Sequence, residues 1–388
     1  ELYAGGEFRT AGGSTAKGIA KWDGTNWSTL GSGFSSYVRA LAACGTDLYA
    51  GGAFISADTN LVNRIAKWDG SNWLPLGSGM NGEVRALAVS AGNLYAAGSF
   101  TTAGGSPANY IAKWDGSSWV ALNAGATTEL YTLAASSNSV YAGGFYTEAY
   151  QIAKWDGNSW GTLGSGLSSS SGYANVFALT VSGDDLYAGG NFTTADGSPA
   201  NYIAKWNGAS WNALGSGLNS SVSALAVLNT NVYVGGSFTT AGGGTQANSI
   251  AKWNVTGWSA VGSGLNGVVR TLAASYNDIY VGGAFTTAGG LPATNIAKWN
   301  GREWSATGQG INGEVCALAV SDTALYAGGN FTVAGATPAN YVAKWNGSNW
   351  SALGSGMNNT VYALAVSGTN PTSAIRPGRW RFLRLRPL

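Results

Sequence analysis

Leu2-Tyr3-Ala4-Gly5-Gly6-Glu7-Phe8 is the first copy of a phrase that returns until the chain ends. Further copies open at Leu48, Leu94, Val140, Leu186, Val232, Ile279 and Leu325. The spacing is 46 residues, with one step of 47. Self-similarity at such a period marks a repeat architecture, in which one supersecondary unit is stacked many times. The repeat decides the fold before any single residue is weighed. It also separates framework positions, which build the unit, from variable positions, which alone can carry specific recognition.

Around each copy lie four short patterned runs separated by turn residues, a β pattern and not a helical one. In one unit these are Val38 to Ala43, Leu48 to Phe54, Arg64 to Trp68 and Trp73 to Gly77. Small residues dominate the first run; Trp and Lys enter the third and fourth. That gradient suits wedges arranged radially about a channel. The third and fourth runs read as a hairpin whose turn is Asp-Gly or Asn-Gly plus two polar residues, as in Asp23-Gly24-Thr25-Asn26. A Trp stands on each side of the turn, for example Trp22 and Trp27, so the two face one another across the strands. Sixteen of the seventeen Trp fall in such pairs, and Trp380 is the exception.

The runs are out of phase with the termini. The chain starts on a second-type run and completes its pattern on a first-type run, Val361 to Val366. The expected fold is all-β: an eight-bladed β-propeller of four-stranded antiparallel blades. Its ring would be closed by the C-terminal strand pairing with the N-terminal strands, Val361–Val366 against Leu2–Phe8. The expected domains are a propeller over residues 1–370 and a basic non-repeat tail over 371–388.

The order Tyr-x-Gly-Gly, extended loop, aromatic, then Trp resembles the kelch-type repeat. The fuller phrase, Tyr326-Ala327-Gly328-Gly329-Asn330-Phe331-Thr332 followed by Ala343-Lys344-Trp345, is closer to repeats of secreted bacterial surface proteins and of the fungal cortical polarity marker family. The resemblance covers about residues 1–370. It implies a propeller fold and a place outside the cell or at its surface. It implies no single activity, because such propellers serve many roles. The chain departs from kelch in having Trp where Tyr is usual in the third strand, and it lacks the histidines and copper site of kelch-like oxidases.

The composition narrows the function classes. Glycine is abundant (60 residues), proline scarce (8), and charged residues make up 10% of the chain. No apolar run is long enough to span a membrane, and no signal peptide is visible. The chain starts at Glu1, inside a repeat and without Met, which reads as a processed product or a segment of something longer. The net charge of +2 is concentrated in the tail, where Arg376, Arg379, Arg381, Arg384 and Arg386 lie. The body is mildly acidic, which argues against a nucleic-acid partner. Cys44 and Cys316 sit at opposite ends of equivalent strands in different repeats and make poor disulfide partners. The sequence has no His, which removes Ser-His-Asp arrangements and most zinc, copper and iron sites. No phosphate-cradling motif appears. The expectation is no metal and no cofactor.

Carboxylates are the remaining route to acid–base work. Asp23, Asp69, Asp115 and Asp156 occupy hairpin turns where other repeats carry Asn207, Asn254, Asn300 and Asn346, which reads as turn chemistry. Asp184, Asp185, Asp278 and Asp322 lack the alternating spacing of a calcium loop. A Lys recurs in every third run, read as a stem lying over apolar surface with its head reaching water or a carbonyl, a contact with a neighbouring Trp face being the other reading.

The informative position is the second of each first run. Its flanks barely change, yet it reads Arg39, Arg85, Tyr131, Phe177, Ser223, Arg270, Cys316 and Tyr362. Two residues earlier stand, among others, Glu83, Glu129 and Glu314. These residues are expected to ring the channel mouth on the loop-rich face, where Ser-, Thr-, Asn- and Gly-rich loops gather. Arg, Tyr and Glu there suit an asymmetric protein or glycan ligand; the plainer reading is drift at a solvated rim. The loop at 146–150 is short and the loop at 167–174 long, so the pocket is expected to be deepest between Tyr131 and Phe177. Several Asn-x-Ser/Thr triplets, including Asn191, Asn219, Asn254, Asn330 and Asn358, are candidate glycosylation points.

The leading expectation is a non-enzymatic extracellular or cell-surface propeller for adhesion, scaffolding or recognition. A multivalent sugar-binding lectin is the alternative. A carbohydrate-active enzyme using Glu83, Glu129 and Glu314 is the second alternative. The tail reads either as a basic partner-binding segment or as an unrelated terminus. Oligomeric state is not legible.

Overall fold

The recurring Tyr-x-Gly-Gly phrase forms the second strand of a four-stranded antiparallel unit that is repeated along the whole described chain. The structure, a computed structural model, describes residues 1–122, 129–136, 139–146, 152–170, 172, 174–321 and 324–366. The tail at 371–388 and most of the short loop after Tyr146 lie outside the described residues. Eight blade-like units occur, and we number them by their second strands. Unit 2, for example, runs in spatial order Val38–Cys44, Asp47–Gly52, Ile65–Trp68, Trp73–Pro75. In every unit the two Trp of the hairpin are register partners. Their rings lie 5.2–5.8 Å apart, tilted or edge-on, a geometry that aromatic quadrupoles favour.

The expectation of a closed ring is corrected. Among the described residues every sheet is open, and none closes on itself. Val361–Val366 does pair antiparallel with Leu2–Gly6. That pairing completes a four-stranded sheet in the order Val361–Val366, Leu2–Gly6, Ile19–Trp22, Trp27–Thr29. The physical reason is that neighbouring units meet through side chains, so the backbone ladder stops at each short fourth strand. Units 4 and 5 also depart from separate four-stranded blades. The second strand of unit 4, Val140–Tyr146, runs on to pair Phe145 with Asn175 and Tyr146 with Ala174. The two units thereby share one eight-stranded sheet.

The Gly-Gly pair explains how the units pack. A Cβ on Gly51 would lie 2.5 Å from Cγ1 of Val84, in the first strand of the next unit. A Cβ on Gly52 would lie 2.2 Å from the Tyr37 carbonyl oxygen. The first glycine therefore admits the neighbouring unit and the second admits its own first strand. Unit 3 carries Ala97 in place of the first glycine, and there the facing residue is Leu130 in place of Val. Branching one carbon further out leaves room for the alanine methyl. The core is a series of buried clusters, each bridging two units.

Hydrogen bonds tie the outer strands to the preceding unit as well. The fourth-strand Trp donates its Nε1–H to a carbonyl of the unit before, as Trp73 does to Leu30 and Trp119 to Leu76, over 2.6–2.9 Å in seven units. In unit 4 the buried Trp160 Nε1 has no such acceptor. The turn residues behave as their types suggest. Each of Asp23, Asp69, Asp115 and Asp156 accepts two backbone N–H groups of its own turn. Asn207, Asn300 and Asn346 do the same. The third-strand Lys residues are not simply solvated heads. Lys21, Lys67, Lys205 and Lys298 pair at 2.5–2.7 Å with Glu1, Asp47, Asp185 and Asp278. Lys154 and Lys344 lie over Tyr141 and Tyr326 instead. Cys44, half-buried, and Cys316, buried, form no disulfide.

Candidate recognition rim

The variable second position of each first strand is a β-bulge. In unit 2 the register steps from Val38 opposite Gly52 to Ala40 opposite Gly51, leaving Arg39 without a partner. The same shift falls at Arg85, Tyr131, Phe177, Ser223, Arg270, Cys316 and Tyr362. A bulged residue leaves the ladder and its side chain is re-aimed. The second glycine opposite makes the bulge sterically possible, because any Cβ there would strike the first strand's carbonyl.

Six of the nine predicted site residues come together in one arc. Arg39 Nε lies 3.2 Å from Glu83 Oε1, and its guanidinium stands 4.9 Å over the Tyr37 ring and 5.3 Å over that of Tyr362. Arg85 contacts Glu83 Oε2 at 3.2 Å and Glu129 Oε2 at 2.6 Å, and stands 4.9 Å over Tyr131. Tyr131 donates to Glu129 at 3.4 Å, and Tyr362 donates to Glu7 at 2.8 Å. Arg and Glu thus alternate along neighbouring first strands, with tyrosines stacked on the cations. The pair Arg270–Glu314, at 2.9 Å, is a separate element. Phe177 is half-buried on Ala174–Ser182. At Ser223 the hydroxyl donates 2.5 Å to the Val269 carbonyl, so that stretch is neutral.

Electrostatics follow the packing. Burial pushes the Tyr131 hydroxyl up to about 12. Burial and then the bond to Glu7 push Tyr362 up to about 12 as well. Both are phenols, hydrogen-bond donors, at neutral pH. Burial alone would weaken the Arg85 cation, but the ionic hydrogen bond to Glu129 outweighs it and strengthens its hold on the proton. The arc is a set of preorganised, largely satisfied groups whose aromatic and guanidinium faces remain partly exposed.

One relation escaped the sequence reading although the chain displays it. Each Arg at the bulge is followed 44 residues later by a Glu: Arg39 by Glu83, Arg85 by Glu129, Arg270 by Glu314. The two columns vary together from unit to unit, as partners across a unit boundary must. Among the candidate glycosylation points, Asn219 is tied by its amide to its own unit. It donates to Thr239 at 2.8 Å and accepts from the N–H groups of Thr239 and Thr240. Asn330 is exposed.

No group of three or more His, Cys, Asp or Glu converges as a metal site among the described residues. No helix among them is long and apolar enough to cross a membrane. A cavity of about 610 Å³ lies on the loop face between units 6 and 7, bordered by residues such as Ser249, Ser263 and Thr287.

Residues 271–376 match the family described as the Rax2 C-terminal beta propeller domain. This supports propeller character for that region and agrees with the resemblance to the fungal cortical polarity marker family; the match does not extend to the rest of the chain. Among solved structures, the chain is similar to a computationally designed protein, Ika8. The identity is 18% and the TM-score 0.54, over 83% of this chain and 86% of that one. That likeness is one of fold alone. A chain in a mitotic checkpoint complex aligns with 17% identity and a TM-score of 0.47, over 78% of this chain and 87% of that one. No curated protein matches this sequence.

Proposed function

We propose that this chain is a non-enzymatic recognition module, working outside the cell or at its surface, that binds a protein or glycan ligand on its loop-rich face. The observation that carries the reading is the bulge. One residue per unit is released from the strand ladder, and those residues differ while their flanks repeat. Arg39, Arg85, Tyr131 and Tyr362, stacked and ion-paired with Glu83 and Glu129, form an asymmetric arc suited to planar hydrogen bonding and stacking. Phe177 and the separate pair Arg270–Glu314 are further candidate contacts. The likeness of residues 271–376 to the Rax2 propeller supports the surface location. Residues 1–370 would act as the binding body, with 371–388 outside it.

The test is binding of the purified chain to a glycan array and to cell-surface protein extracts. The double variant Tyr131→Ala, Phe177→Ala should lose at least tenfold in affinity while keeping its unfolding midpoint within a few degrees. If that variant binds every ligand of the parent undiminished, the rim is refuted as the site. Turnover of a glycan, abolished by Glu83→Gln or Glu314→Gln, would refute the non-enzymatic reading.

A further inference from the structure

The cavity between units 6 and 7 lies where a repeated column carries a short residue. The residue just before the third strand is Tyr110, Tyr202 and Tyr341 in units 3, 5 and 8, Arg64 in unit 2 and Asn295 in unit 7. In unit 6 it is Ser249, and in unit 1 Gly18. All seven hold the left-handed backbone region, with φ between 61° and 77°. In each, two backbone hydrogen bonds fix that conformation, as Tyr110 shows with Phe100 and Gly98. The side chain here reaches toward the lead-in loop of the next unit. Arg64 Nη1 donates to the Met80 carbonyl at 2.9 Å, and Asn295 Nδ2 donates to that of Ile311 at 2.8 Å. The equivalent carbonyl for unit 6 belongs to Leu265. Ser249 is too short to reach across, and no described group donates to the Leu265 oxygen.

The walls are uncharged and set hydroxyls and amides among a larger share of apolar surface. No Lys, Arg, Asp or Glu borders the cavity. The hydroxyls of Ser249, Ser263 and Thr287 make no hydrogen bond with any described residue, although Ser249 is buried at 7% exposure. The position two residues before the bulge is also changed, with Val268 where units 3, 4 and 8 place Glu83, Glu129 and Glu314. The cavity's size, about 610 Å³, lies within the range of small-molecule sites. Hydroxyls both donate and accept, and a carbonyl only accepts. A ligand that satisfies this set must itself be neutral and dense in hydroxyl or amide groups.

We propose that the junction of units 6 and 7 is a binding site for a neutral saccharide, held by Ser249, Ser263, Thr287 and the Leu265 carbonyl. This site goes beyond the rim reading: none of the rim residues borders it, and it names its own ligand class. A Ser at this position is found in unit 6 alone among the described units, so the Ser249 hydroxyl marks this junction.

Ser249→Tyr supplies the decisive variant. It installs the residue that units 3, 5 and 8 already carry at the same backbone conformation, so folding is preserved while the cavity is filled. Ser263→Ala, Thr287→Ala removes hydroxyls without filling it. Binding is read by ligand-observed NMR and calorimetry with uncharged hexoses, N-acetylhexosamines and their short oligomers. The expected result is one site per chain, weakened at least tenfold in both variants and unchanged in Tyr131→Ala, Phe177→Ala. Saccharide binding that survives Ser249→Tyr but disappears in the rim variant would overturn this site and leave the rim reading standing. So would the absence of any neutral saccharide binding alongside a rim-dependent protein partner.

Discussion

Gly51→Ala isolates the contact on which unit-to-unit packing depends. The new methyl would sit 2.5 Å from Val84 Cγ1 and 3.1 Å from Val84 Cβ. Both residues are fixed in backbone ladders, and Gly51 is outside the left-handed region, so strain comes from overlap alone. Overpacking of this kind costs about 1–3 kcal/mol, and the short distance argues for about 2. Val84→Leu by itself moves a methyl away from Gly51 and leaves a small gap, a shape change costing about 1 kcal/mol. The pair Ala97–Leu130 shows that alanine and leucine fit together across this boundary. The double variant Gly51→Ala, Val84→Leu should therefore recover most of the loss and lie within about 1 kcal/mol of the parent. A coupling energy of about 2 kcal/mol falls within the range for residues in contact. Urea unfolding of the four proteins, with the slope held as a check on compactness, measures it. If the double variant is destabilised by the sum of the singles to within about 0.5 kcal/mol, the packing argument fails.

Other outcomes follow from the same structure. The backbone N–H bonds at Asp23, Asp69, Asp115 and Asp156 hold these carboxyls below the usual carboxylate range. Their contribution is present above the unfolded pKa of about 3.9 and is lost as pH falls through the lower folded values. Replacing all four by Asn, the residue that later units use, should flatten the loss of stability between about pH 4 and pH 2. Unfolding midpoints with the same acid slope as the parent would contradict this. Trp119→Phe removes a buried hydrogen bond to Leu76, whereas Trp160→Phe removes a donor that has no acceptor. The first should be the more destabilising by about 0.5–1.5 kcal/mol in parallel denaturation curves, and equal losses would count against the difference.

The framework was legible because period reports packing: Trp at fixed spacing must pair, and an Asp or Asn that alternates before Gly must serve a turn. The bulge was not legible, since a one-residue slip in register leaves no mark on composition. Nor was the roles' division between Gly51 and Gly52, which depends on what each faces. The shared sheet of units 4 and 5 hid for a similar reason: a shortened loop does not reveal that a strand lengthens to meet its neighbour. The Arg39–Glu83, Arg85–Glu129 and Arg270–Glu314 pairings were readable in principle, as two columns changing in step. The expected ring of Arg, Tyr and Glu offered to a ligand is instead largely engaged with itself. The departure of Ser249 from the Tyr column is plain in the sequence. That it opens onto the next lead-in loop required coordinates.

The placement of variation at bulges has a consequence for how such a chain can change. A residue that holds no rung of the ladder can be exchanged without disturbing the rungs beside it. Each unit thus offers one editable letter on a backbone that reads the same throughout. New specificities could be written one letter at a time, with neighbouring letters adjusted in pairs wherever a cation and an acid meet across a boundary.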